Sequence, residues 1–124
     1  MQLLPPEKLL SITAHPDDTE MHHAGLLARA KLPLAMVATR GEATTLNFTQ
    51  TPRELLVEQR HEESKKAMAF YGFRGIWLDL PDGELARPEH VENLAQNIVD
   101  TRIVESSSCW IIWTAGSLKS SAGT

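Results

Sequence analysis

The chain has 124 residues, 42% hydrophobic and 23% charged, a balance that fits one compact domain with an ordinary core and excludes disordered, collagen-like and fibrous classes. Twelve Lys and Arg against sixteen Asp and Glu give a net charge of -4, and no basic cluster tracks along the chain, so nucleic acid is not expected as a partner. No apolar run approaches the roughly 20 residues of a membrane span, the start lacks a basic segment followed by an apolar one, and Cys109 is the only cysteine, so a soluble cytoplasmic protein without an internal disulfide is the expectation.

Lys8 to Ala14 is a short apolar run with a β-branched tail, stopped by His15-Pro16, because proline moves its predecessor out of the helical region. It is the first predicted strand. Asp18-Thr19-Glu20 supplies a cap and negative charge for a helix to about Lys31, with Ala24, Leu27, Ala28 and Lys31 at helical spacing, and Leu32-Pro33 is expected to end it. Leu34 to Thr39 is a continuous apolar run of strand length, as in a strand covered on both faces. Arg40 to Gln50 is polar and reads as a loop.

Thr51-Pro52-Arg53-Glu54 is a helix start, with Thr51 as cap, Pro52 at the first helical position and Glu54 completing a capping box. That helix is expected to reach about Tyr71, with Gly72 in the left-handed position after it, and its inward stripe to read Leu56, Arg60, Glu63, Ala67, Phe70. Ile76 to Leu80 follows as a strand and Pro81-Asp82-Gly83 as the turn leaving it. Arg87-Pro88 opens a third helix with Val91, Leu94, Ala95, Ile98 and Arg102 along one stripe, and Cys109 to Thr114 is the fourth strand. Cys109 reads as a buried small hydrophobe.

The order βαβαβαβ predicts a Rossmann-like three-layer α/β sandwich with a mostly parallel sheet, truncated after the fourth strand. Residues 1–114 are assigned to the domain and 115–124 to a short polar tail. A sheet ending in Trp110-Ile111-Ile112-Trp113 would expose apolar surface, which predicts either a homo-oligomer or a shortened form of a longer protein.

Ligands of open parallel sheets bind beyond the carboxyl ends of the strands, which directs attention to His15-Pro16-Asp17-Asp18, Arg40-Gly41-Glu42, Asp82 and the segment from Thr114. An imidazole and a carboxylate three apart at a strand-to-helix turn are a common half of a zinc site, and the adjacent carboxylates of Asp17 and Asp18 repel unless a cation neutralises them. The plainer alternative has Asp18 capping the helix, Asp17 solvated and His15 in a loop. Arg60 and Glu63 within an apolar stripe must pair with each other or face a polar cleft. Asp82 in Pro-Asp-Gly serves equally as a turn residue, and His22 and His23 lie one turn from the carboxylates, within approach of a metal.

Ala14-His15-Pro16-Asp17-Asp18-Thr19-Glu20 resembles the AHPDD-x-E signature of the LmbE/PIG-L-type zinc deacetylases, which remove acetyl groups from N-acetylglucosamine-containing substrates. Gly25, Thr39-Arg40-Gly41-Glu42, Arg60-His61-Glu62-Glu63 and Leu80-Pro81-Asp82-Gly83 resemble further family segments in family order, over about Leu10 to Thr114. The resemblance implies a Rossmann-like fold, Zn2+ bound by His15 and Asp18, Asp17 as general base, and Arg60 and Asp82 against a small N-acetylated sugar. The family's third zinc ligand comes from a histidine-rich motif after the fourth strand, whereas no histidine follows His90 here. A sugar-amide deacetylase and a non-catalytic relative that binds metal or sugar therefore both remain open, beside a phosphoacceptor module with Asp79 as acceptor, which would leave His15 without a task.

Overall fold

The computed structural model describes residues 6–16, 18–43, 52–105 and 108–114. Its elements are β1 (Lys8–Thr13), α1 (Asp18–His22), α2 (Ala24–Leu27), β2 (Leu32–Thr39), α3 (Arg53–Tyr71), β3 (Arg74–Leu80), α4 (Pro88–Asp100), a 3-10 turn (Ile103–Glu105) and β4 (Cys109–Thr114). The four strands form one parallel sheet in the order β3-β2-β1-β4. β1 pairs from Lys8↔Leu32 to Thr13↔Val37 on one side and from Lys8↔Cys109 to Thr13↔Thr114 on the other. The α/β class with a parallel sheet is as the sequence predicts.

Side chains alternate across the strands and separate two cores. Leu9, Ala35 and Val37 face Leu27 of α2, Met68 of α3 and Phe73. Leu10, Leu34 and Met36 face Ile103, with Leu94 and Ile98 of α4 packed at the edge. Helices therefore cover both faces, giving three layers. The domain assignment of residues 1–114 and the tail 115–124 include positions outside the described residues.

The single helix expected from Asp18 to about Lys31 is two short ones, separated at His23. The break coincides with a tertiary bond, since the ring of His23 turns into the core and its Nδ1 lies 2.6 Å from Ser11 Oγ on β1. Leu32-Pro33 belongs to β2 rather than to a helix end. Pro33 is tolerated because pairing with β3 begins only at Leu34, so the missing N–H breaks no ladder bond there.

Thr51 lies outside the described residues, and α3 begins one position later than expected, with Pro52 as its extended N-cap. Its end is as expected: Gly72 closes it at φ 77, donating to Ala69 and Met68 carbonyls. The buried row differs from the expected stripe by one position. Val57, His61, Ser64 and Met68 face the sheet, while Phe70 is 85% exposed and Glu63 is exposed. Both polar residues of that row lean on Trp77: Ser64 Oγ accepts from Trp77 Nε1 at 3.2 Å, and the His61 ring packs edge-on against the same indole, its Nδ1 buried without a hydrogen-bond partner among the described residues. On α4, Leu94 and Ile98 turn inward as expected, but Val91 is exposed and Arg102 lies past the helix end at φ 57. Cys109 is half-buried at the edge of the second core rather than fully enclosed.

Near its end β3 carries an extra residue against β2, the partners moving from Val37↔Trp77 to Thr39↔Leu80. Asp79 takes up the irregularity at φ 56, a conformation that Asp tolerates better than most side chains. The bulge decides how the chain leaves the strand toward Asp82.

Candidate active site

β1 sits between β2 and β4, so the chain leaving its carboxyl end enters the crevice where the sheet order reverses. Ala14, His15 and Pro16 are buried there. The Thr39 hydroxyl at the end of β2 fixes this segment, donating to the Ala14 carbonyl at 2.8 Å while accepting from Gly41 N at 3.1 Å. One side chain thereby ties the turns after β1 and β2 together.

Asp18 opens α1 and its carboxylate returns to its own loop, with Oδ2 accepting from His15 N at 3.3 Å and lying 3.7 Å from His15 Nδ1. The other ring nitrogen, Nε2, lies 2.7 Å from Oδ1 of Asp82, a residue 67 positions along the chain. Asp82 belongs to a turn in which Glu84 N donates to the Pro81 carbonyl at 3.3 Å and Gly83 adopts φ 87, a left-handed conformation that glycine takes at no steric cost. Its carboxylate is only 3% exposed.

The loop after β2 holds Asp82 from the far side. Ala43 N donates to Oδ2 at 2.9 Å, and the Glu42 carboxylate accepts from Asp82 N at 3.3 Å. Beside this clasp lies a cavity of about 590 Å³ lined by Arg40, Glu42, Ala43, Glu54 and Val57. Arg40 Nη2 donates to Glu58 Oε2 at 2.7 Å, and its Nε is 3.7 Å from Asp79. The cavity offers charge of both signs and an apolar wall.

Of the residues singled out in the sequence, His15, Asp18 and Asp82 meet at one point. Asp17 lies outside the described residues. Arg60 is half-buried on α3, beside the inward row. His22 is exposed, and His23 is committed to Ser11. Burial holds the His23 pKa below its usual 6.5, with the nearby His22 acting in the same direction and Asp18 opposing. Glu58, Glu54 and the Ala43 amide were not legible as site components, because no motif marks them and only packing of α3 beside the β2 loop brings them in.

The donors suit a borderline divalent cation: His15 and Asp18 set an imidazole nitrogen and a carboxylate oxygen side by side in a mostly buried turn. They form two donors of a set, for among the described residues no group of three or more His, Cys, Asp or Glu side chains is arranged to hold a metal. No helix among the described residues is long and apolar enough to cross a membrane.

The family model described as PIG-L: GlcNAc-PI de-N-acetylase matches residues 10–119. Among solved structures, the fold resembles N,N'-diacetylchitobiose deacetylase from Pyrococcus horikoshii with a TM-score of 0.64 and 20% identity, over 78% of this chain and 38% of that one. It also resembles GalB, the 4-carboxy-2-hydroxymuconate hydratase from Pseudomonas putida KT2440, with a TM-score of 0.56 and 16% identity, over 74% of this chain and 42% of that one. The chain thus spans about two fifths of the length of these structures. No curated protein sequence is similar enough to match. A deacetylase and a hydratase on one fold leave function to be argued from the site.

Proposed function

The chain belongs to the PIG-L family, whose model covers most of its length, and on that premise we propose that it carries the nucleophile-activating half of a zinc-dependent deacetylase site for N-acetylglucosamine-type sugar amides. The observation that carries this reading is the convergence of His15, Asp18 and Asp82, from turns after β1 and β3, in a buried cluster beside a cavity of mixed polarity. His15 and Asp18 would hold the metal. When bound, zinc supplies Lewis-acid polarisation of the amide carbonyl and acidifies water.

Asp17 is the general base in this reading, taking a proton from the water whose oxygen adds to the amide carbon. The proton passes to the amine nitrogen as the C–N bond breaks, leaving acetate and a free amino sugar. Arg60 would orient the sugar hydroxyls as donor, whereas the Asp82 carboxylate, 3% exposed and already bonded to His15 and Ala43, serves the site through His15. A reducing compartment such as the cytoplasm suits a chain with one cysteine.

The test is elemental analysis of wild type and His15→Ala purified together without chelator. We expect near-stoichiometric zinc in wild type and its loss in the variant. Zinc content that His15→Ala leaves unchanged would remove His15 from the site. Hydrolysis of an N-acetylglucosaminyl substrate that disappears in Asp17→Asn then separates a deacetylase from a relative that binds metal or sugar without turnover.

A further inference from the structure

We infer that Asp82 is a positioning residue for His15: it holds the imidazole in the tautomer that turns the Nδ1 lone pair toward Asp18. The inference deepens the proposed metal-site reading and rests on it. A carboxylate only accepts, so the 2.7 Å bond between His15 Nε2 and Asp82 Oδ1 places the ring proton on Nε2. Nδ1 is then the basic nitrogen, 3.7 Å from Asp18 Oδ2. That leaves an imidazole nitrogen and a carboxylate oxygen side by side in a mostly buried turn, two donors of the kind a borderline divalent cation takes.

Asp82 suits an orienting role because it is itself held. Its Oδ2 takes the Ala43 N–H and its own N–H is tied to Glu42, so the carboxylate is fixed by the β2 loop before any ligand arrives. Its near-complete burial keeps water from competing for Oδ1. A carboxylate behind a ligating histidine fixes ring orientation and raises its basicity, and losing such a partner costs about 10- to 100-fold in metal affinity.

The experiment is nitrogen-15 NMR of the His15 ring in the metal-free chain at one neutral pH, together with Zn2+ titration, for wild type, Asp82→Ala and Asp82→Asn. In wild type we expect Nε2 to carry a slowly exchanging proton that Asp82→Ala abolishes. Zinc affinity should fall about 10- to 100-fold in Asp82→Ala. Asp82→Asn can offer its single oxygen to Nε2–H only by giving up the acceptor for the Ala43 N–H, so with that oxygen on Nε2–H it should keep the tautomer and lose less affinity than alanine, and it serves if the alanine variant does not fold. A wild-type ring without a proton on Nε2 overturns the inference, as does zinc affinity unchanged in Asp82→Ala. Equal losses in both variants with an unmoved tautomer also overturn it, since that is the mark of packing alone. A fixed Nε2 tautomer in a chain that binds no zinc would instead support the positioning of His15 and sink the metal-site reading.

Discussion

At the scale of single residues, the two histidines turned inward from the first βα unit do different work. His15 faces two carboxylates at the strand end, and His23 faces a serine inside the core. Burial disfavours the charged ring of His23, so its pKa lies lower folded than unfolded, and the unfolded chain binds the extra proton. Stability should therefore be intact above the unfolded value near 6.5 and decline as pH falls below it. The denaturation midpoint measured between about pH 8 and about pH 5 should show that slope, and His23→Gln should flatten it. A wild-type slope that His23→Gln leaves unchanged would assign the effect to other groups.

At the scale of elements, α3 shows why a helix face can be misjudged by one position. The row Leu56, Arg60, Glu63, Ala67, Phe70 and the row Val57, His61, Ser64, Met68 have the same helical spacing, and the second contains two polar residues. It is nevertheless the second that packs, because Trp77 on β3 gives Ser64 a donor and His61 a ring edge. Truncating fully buried Met68 to alanine should cost about 2–5 kcal/mol in denaturant unfolding. Phe70→Ala should stay within about 0.5 kcal/mol, as expected for an exposed side chain. Similar losses from both would restore the first row. Much of the element content was legible: both ends of β4, the Pro88 start of α4 and Gly72 after α3 follow from local rules. The break at His23 and the inclusion of Pro33 in a strand were not, because each depends on what the neighbouring strand offers.

At the scale of the whole molecule, β4 lies at the sheet edge and presents Trp110, Ile111 and Trp113 to solvent, the last 69% exposed. Apolar edges of this kind pair with further chains unless covered. We expect concentration-dependent dimers in sedimentation velocity, reduced by Trp113→Lys. A monomer over the full concentration range, with no binding of an apolar dye, would contradict this.

What the sequence determined by itself was the alternation of strands and helices, hence a parallel sheet, together with the His15-to-Asp18 turn at a strand end and the family it signals. These are short-range properties: a proline, a cap or an apolar run acts within a few residues of itself. Only the tertiary structure decided that Asp82 bonds to His15, that the β2 loop clasps Asp82, and that His23 belongs to the core and not to the site. Such pairings join residues tens of positions apart, and strand order, the bulge at Asp79 and the packing of α3 set them jointly. No local pattern encodes the distance between two turns that only the sheet brings together.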